Sequence, residues 1–126
     1  MRGNTSESKI EYRLVFEDHF EFFDDKKWEY EENFRHFAQN SREMVRVKNG
    51  NLIITTENKS GKYKTGIVKT KFTGFRGYWE VRAKFGKINS GVWVAAWTYF
   101  PHRYEIDLFE NRSLDINNKD ISGYIT

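Results

Sequence analysis

Three carboxylates lie within six residues in the stretch YEIDLFEN, at Glu105, Asp107 and Glu110. The positions between them are aliphatic or aromatic, which favours a β-strand. In a strand, residues i and i+2 share a face, so Glu105 and Asp107 point the same way. Paired carboxylates that face one cleft are the groups used in glycoside hydrolysis, in which one is ionised and the other carries a proton.

The third carboxylate, Glu110, requires an irregular strand. Strict alternation would turn Glu110 into the core, where an unpaired carboxylate costs several kcal/mol. We therefore predict a β-bulge near Leu108 or Phe109, which inserts one extra residue and restores Glu110 to the face of the other two acids. Ile106, Leu108 and Phe109 should then pack behind, and the acids should line a cleft.

A row of three acids is compatible with two chemistries. A retaining glycosidase needs a nucleophile and a protonated acid about 5–5.5 Å apart, and two long Glu side chains at the ends of the row can converge on that distance. The central Asp107 would hydrogen-bond the nucleophile and help to separate the two pKa values. Alternatively, the three acids and Asp115 form a cation site, although DINNKDISG does not have the spacing of an EF-hand loop.

The preceding stretch GVWVAAWTY has two different faces. One carries aliphatic side chains suited to a core, and the other carries Trp93, Ala95, Trp97 and Tyr99. Aromatic rings stack on sugar faces, so we predict that these aromatics line the cleft and bind substrate; the alternative is that Trp93 or Trp97 fills the core. Arg103, with His102, lies just before the acidic strand and either contacts substrate or ends a loop.

The elements that must position these residues are short strands separated by turns. We predict strands at about 11–17, 43–48, 51–57, 64–73, 76–86, 91–100, 104–110 and 120–126. Asn49-Gly50 lies between two alternating runs and is a strong hairpin signal. The expected fold class is all-β, an antiparallel β-sandwich. It occupies residues 9–126 as one domain, after a disordered polar tail at 1–8.

Composition limits the classes of molecule that the chain is expected to bind. The chain has 126 residues and a net charge of +3, and its basic residues are scattered among 18 acids, so we predict neither nucleic-acid nor membrane binding. The lysine-rich stretch from Lys62 to Arg76 is explained by a solvated strand face, with an anionic polymer as the alternative. There is no cysteine, hence no disulfide or thiolate site. The first ten residues lack the apolar core of a signal peptide.

Several motifs, taken in order, resemble family 16 glycoside hydrolases, the group of laminarinases, agarases and carrageenases. EIDLFE resembles the family's bulged E-x-D-x-x-E signature. EDHFEFFDDKKWEYE is similar to its D-x-F…W segment, through Asp18, Phe20 and Trp28. MVRVKNGNLIITTEN, YKTGIVKTKFTGFRGYWEVRAKF and SGVWVAAWTYFP resemble further family blocks, so the resemblance covers nearly the whole chain.

The resemblance implies a jelly-roll sandwich of the concanavalin A type with a concave glycan cleft. It implies Glu105 as nucleophile, Asp107 as its assistant and Glu110 as acid/base, in an endo-acting retaining enzyme that cleaves a β-1,3- or β-1,3-1,4-glucan or an algal galactan. It implies no catalytic cofactor, allows a structural calcium ion without placing one, and suggests secretion or a cell-surface location.

The chain also departs from the family pattern. The family's domain is about twice as long, so we expect this sequence to represent its N-terminal half, to be completed by a second chain, by self-association or by the remainder of a longer chain. The segment between Trp28 and Met44 lacks the Asn-Asn-Glu type of substrate motif. A non-catalytic glycan-binding module, or an inactive fragment of such an enzyme, is therefore the alternative function.

Overall fold

A computed structural model describes residues 10–74, 76–86, 91–100 and 104–112. The chain divides into two compact units, residues 1–78 and 79–126. In the described part, strands are the regular elements apart from one turn of 3-10 helix at Arg42–Met44, which confirms the all-β class. No helix in that part has the length and apolar character needed to span a membrane.

The first unit contains eight described strands that form three small sheets. β1 pairs with β8 and β4 pairs with β5, both antiparallel, whereas the third sheet has four strands in the order β2-β3-β7-β6. The strands are β1 Trp28–Tyr30, β2 Phe34–Arg35, β3 Ala38–Asn40, β4 Val45–Lys48, β5 Asn51–Ile54, β6 Glu57–Lys59, β7 Lys62–Thr65 and β8 Val68–Thr70. The second unit contains β9 Trp93–Phe100 and β10 Tyr104–Arg112, an antiparallel pair.

The prediction of an antiparallel fold is wrong at one strand pair. β3 and β7 are parallel, with Ala38 opposite Tyr63 and Asn40 opposite Thr65. Parallel neighbours need a long crossover connection, and the chain between Asn40 and Lys62 supplies one that includes the β4–β5 hairpin. The three strands β1, β2 and β3 are too short to give a period-2 signal, and they were absent from the predicted set.

The β4–β5 hairpin confirms the prediction made from Asn49-Gly50. Lys48 lies opposite Asn51, so the two residues between them form the turn. Asn49 and Gly50 have φ of 53° and 68°. Positive φ at both positions defines the type I′ turn, whose twist matches that of the flanking strands, and Asn and Gly tolerate it best.

Two predicted strands do not form. Residues 11–17 and 76–86 belong to no strand in the described part of the chain. Alternation shows only that a segment can be half-buried, whereas a strand also needs a neighbour to receive its backbone hydrogen bonds. Other predicted strands are shorter or divided: 51–57 becomes β5 and β6, and 64–73 is replaced by β7 and β8. The predicted strand at 120–126 lies outside the described residues.

The interior of the first unit is small and centred on Met44 and Val45, which are buried. The break between β7 and β8 falls at Gly66, which is buried beside them. A methyl group added to Gly66 would lie 2.5 Å from Cγ2 of Val45 and 3.2 Å from Cγ2 of Ile54. Glycine is therefore required here because the side chains of the neighbouring hairpin occupy the space of a Cβ atom.

We expect Gly66→Ala to destabilise the protein by about 1–3 kcal/mol, because overpacking forces neighbouring side chains off their preferred rotamers. The measurement is the urea unfolding midpoint. Gly86→Ala is the matched control, since no atom lies within 4 Å of the added Cβ there. Equal midpoints for the two variants would contradict the packing of Gly66 against Val45.

Candidate active site

The β9–β10 ribbon carries the acidic stretch and contains the predicted bulge. Asp107 lies opposite Trp97, whereas Phe109, two residues later, lies opposite Ala96, which is directly adjacent to Trp97 in β9. Leu108 is therefore the extra residue between them, and the register shifts at this point. A bulge of this kind adds one residue to one strand of an antiparallel pair. The predicted irregularity near Leu108 or Phe109 is confirmed.

The bulge places the three acids on one face. Glu105, Asp107 and Glu110 lie opposite Tyr99, Trp97 and Ala95, respectively. Alternate residues of a regular strand share a face, and directly opposed residues of an antiparallel pair lie on the same face. The acidic row of β10 and the aromatic row of β9 therefore form a single surface, which we call the acidic–aromatic face.

The spacing along this face suits paired carboxylate chemistry. The partners of Glu105 and Glu110 are four residues apart in β9, which corresponds to about 13 Å at a rise of about 3.3 Å per residue. Each Glu side chain carries its carboxyl carbon to about 3.7 Å from Cα by standard bond lengths. Side chains stand roughly perpendicular to a sheet and can only lean along the strand, so the spacing places both carboxyl groups beside Asp107 without itself distinguishing the roughly 5–5.5 Å separation of retaining enzymes from the roughly 6.5–9.5 Å of inverting ones.

The acidic–aromatic face is exposed at both ends and half-buried in the middle. Tyr99 and Glu105 form an exposed pair at one end, and Tyr99 is 62% exposed. Asp107 and Glu110 are half-buried, as is Trp97, and Trp93 at the other end is 43% exposed. Rings and carboxylates are thus open to a ligand from solvent, as a binding surface for an extended chain requires.

The reverse side of the ribbon is only partly covered. The Phe109 ring packs edge-on against Phe85, with centroids 5.1 Å apart, and Leu108 is half-buried. Ile106, predicted to pack behind the acids, is 56% exposed, so that expectation is wrong. Its backbone carbonyl accepts a hydrogen bond from Thr98 Oγ1 at 3.4 Å. Alternation assigned Ile106 to the correct strand face, but the end of the face that carries Ile106 remains exposed.

Three residues considered in the sequence lie outside the described part of the chain. They are Arg103, predicted to bind substrate, its neighbour His102, and Asp115 of the alternative cation site. Within the described residues, no group of three or more His, Cys, Asp or Glu side chains is arranged to hold a metal ion. The ribbon itself contributes Glu105, Asp107, Glu110, Trp93, Trp97 and Tyr99.

The first unit has its own partly buried carboxylate, at Asp18. Oδ2 accepts a hydrogen bond from the Trp28 indole N–H at 2.8 Å, and Oδ1 accepts one from the Phe20 backbone N–H at 2.8 Å. The Phe20 and Trp28 rings lie 5.4 Å apart. In the sequence, the D-x-F…W pattern is only a resemblance to the family. In the structure its three residues contact one another, and the Asp18 carboxylate connects a loop to Trp28 at the start of β1.

The environment of Asp18 lowers its pKa below the ordinary 3.8. Burial raises the pKa, since only 9% of the side chain is exposed, but the hydrogen bonds from Phe20 and Trp28 and the positive charge of Lys27 outweigh it. A cavity of about 200 Å³ lies beside this contact. It is lined by Glu17, Asp18, His19, Glu21, Phe22, Asp24 and Lys27, and by none of the predicted catalytic residues.

We expect the stabilising effect of the Asp18 charge to depend on pH. A carboxyl whose pKa is lower in the folded state stabilises fully above its unfolded pKa and loses that effect as pH falls through the folded value. Asp18→Asn should therefore cost about 1 kcal/mol at pH 7, and the difference from the parent should shrink below about pH 4. Urea midpoints between pH 7 and pH 2.5 measure this, with the exposed Asp25→Asn as control. A constant difference would contradict the assignment.

Comparison with known proteins adds no relative: no protein-family model matches the chain, and no curated protein or solved structure matches it.

Proposed function

We propose that the acidic–aromatic face is the catalytic surface of an endo-acting, retaining glycoside hydrolase that cleaves a β-linked polysaccharide. The supporting observation is the bulge at Leu108, which brings Glu105, Asp107 and Glu110 into one row. An acidic row without that bulge would be divided between two faces. The resemblance of the sequence to family 16 supports the same chemistry, with a β-1,3- or β-1,3-1,4-glucan or an algal galactan as substrate.

In the proposed first step, a Glu105 carboxylate oxygen attacks the anomeric carbon of the bound sugar. The bond to the leaving oxygen breaks, and protonated Glu110 gives its proton to that oxygen. In the second step, Glu110, now ionised, removes a proton from a water molecule. That water displaces Glu105 from the anomeric carbon, so two inversions restore the original configuration and both carboxyl groups regain their starting charge.

Asp107, between the two Glu residues, has a supporting role in this proposal. A carboxyl group at the centre of the row can hydrogen-bond Glu105, and its charge disfavours ionisation of a neighbouring carboxyl. Both effects help to keep one Glu ionised while the other retains its proton. The rings of Trp93, Trp97 and Tyr99 stack on sugar faces and set the position of the chain along the row.

We place this surface in a jelly-roll sandwich of a secreted or cell-surface enzyme, on the sequence resemblance alone. The reaction as proposed uses no metal or cofactor. The second candidate is a non-catalytic glycan-binding module or an inactive fragment of such an enzyme. It is favoured by the exposure of Ile106 on the reverse side of the ribbon, because a catalytic strand is normally held rigidly from behind.

The experiment that tests the proposal measures reducing ends released from laminarin, lichenan, agarose and carrageenan. We expect the parent chain to act on one of these polysaccharides, and Glu105→Gln to lose the activity, because the amide cannot form the glycosyl-enzyme bond. Glu21→Gln, an exposed carboxylate in the other unit, is the matched control. Full activity in Glu105→Gln would remove the proposal. Retarded migration in polysaccharide gels without sugar release would favour the binding module.

A further inference from the structure

An apolar row near the start of the described chain is covered at one end and exposed at the other. The Phe16 ring packs on Trp28 and Phe72, with centroids 5.7 and 5.4 Å apart. Burial then alternates through residues 16–20, as expected of an extended backbone. The same alternation in sequence runs back toward residue 10, where the apolar members are exposed: Leu14 at 69%, Tyr12 at 70% and Ile10 at 73%.

No described strand pairs with residues 10–16. Tyr12 has a ring neighbour, Tyr78, at 6.1 Å, and both rings remain about 70% exposed. A segment with strand-forming residues, an exposed apolar row and no neighbour among the described strands is a template for pairing with another chain.

The sequence of this segment is complementary to itself in one antiparallel register. When two copies pair about a two-fold axis at Tyr12, each Glu11 lies opposite Arg13 of the other copy, and each Ile10 lies opposite Leu14. Opposite charges and apolar pairs across strands are both favourable, and an isologous contact satisfies each pair twice. We infer that residues 10–14 form an intermolecular strand pair with a second copy of this chain.

Moving the two-fold axis to the next position along the strand removes the favourable pairing of opposite charges and of apolar side chains. With the axis between Tyr12 and Arg13, the two tyrosines face arginines and Glu11 faces Leu14, so no ion pair forms. The axis at Tyr12 also places the apolar rows of both copies on the same face of the new ribbon. Charge complementarity therefore favours the register with the axis at Tyr12 over this neighbouring one.

The first test exchanges the two charges. Glu11→Arg alone opposes two arginines across the pair, and Arg13→Glu alone opposes two glutamates. We expect each single change to raise the dimer dissociation constant about tenfold or more in sedimentation equilibrium of the full chain. The double change Glu11→Arg with Arg13→Glu restores opposite charges, and we expect it to recover dimerisation to within about threefold.

The second test uses the absence of cysteine from the chain. In the inferred register, Tyr12 lies opposite itself with Cα atoms about 4.5–5.5 Å apart, within the range of a disulfide. Tyr12→Cys should therefore form a disulfide-linked dimer under mild oxidation. In Ile10→Cys the two cysteines would be four residues out of register, about 14 Å apart along the strands, and should remain unlinked under the same conditions.

Several results would overturn the inference. The parent chain could remain monomeric at all concentrations, or the single charge reversals could leave the dissociation constant unchanged. Equal crosslinking of Tyr12→Cys and Ile10→Cys would place any dimer contact in another register or on another surface. None of these variants alters the acidic–aromatic face, so the outcome does not depend on the proposed function.

Discussion

Glu105→Ala should lower the rate of polysaccharide cleavage at least about 1,000-fold, and azide should restore turnover of an activated aryl β-glycoside with inverted configuration. Removing the side chain removes the nucleophile and leaves space for a small anion. Azide then attacks the anomeric carbon once, so the product is the α-glycosyl azide. Chromatography and proton NMR of the product give both the rate and the configuration.

Glu110→Ala is the matched variant at the other end of the row, and it should give the opposite configuration. An aryl leaving group needs no proton, so Glu105 can still form the glycosyl-enzyme without Glu110. Azide then displaces Glu105 in a second inversion, and the product is the β-glycosyl azide. Cleavage of the polysaccharide, whose leaving group does need a proton, should fall by about 10²–10⁴-fold.

The configuration of the azide product from each variant shows which Glu is the nucleophile and which is the acid/base, a distinction that the spacing of the residues does not provide. If Glu105→Ala gave the β-product and Glu110→Ala the α-product, the nucleophile and the acid would be exchanged. If azide rescued neither variant while both remained folded, the row would have no part in glycoside cleavage. The Glu21→Ala variant should retain parent activity and give no azide product, because Glu21 lies in the other unit.

The sequence predicted the irregular part of the site better than the regular parts of the fold. The bulge could be deduced because Glu110 has only two alternatives, burial without a partner or one extra residue, and their energies differ by several kcal/mol. The Asn49-Gly50 hairpin was predictable for a similar local reason, since few residues accept two successive positive φ angles. Both features are decided within a few residues of the chain.

The strands that failed depend on distant neighbours. Residues 76–86 alternate as clearly as β9 does, yet Val81 and Tyr78 are exposed and no described strand receives the backbone of this segment. Alternation indicates that a segment can form a half-buried strand, but it does not predict which other strand will pair with that segment. The parallel pairing of β3 and β7 was unpredictable for the same reason, because pairing partners separated by a long crossover leave no local signal.

Deleting Leu108 should leave the proposed activity within about tenfold of the parent, although it shortens the acidic strand. Leu108 is the extra residue of the bulge, so its removal gives a regular strand in which Glu110 follows Asp107 by two positions. Residues two apart share a face, and Glu110 therefore remains opposite Ala95 in the acidic row. The loss of one half-buried leucine should cost no more than about 2 kcal/mol of stability.

Deleting Ile106 is the contrasting change, and it should lower activity at least about 1,000-fold. It makes Glu105 and Asp107 adjacent, so they must point to opposite faces, and the nucleophile leaves the row. Both deletions remove one aliphatic residue from β10, and unfolding midpoints for the two variants identify any difference that is only a loss of stability. Leu108→Gly, which keeps the extra residue without its side chain, should retain activity. If the Leu108 deletion were inactive while folded and the Ile106 deletion active, catalysis would not depend on which face the acids occupy.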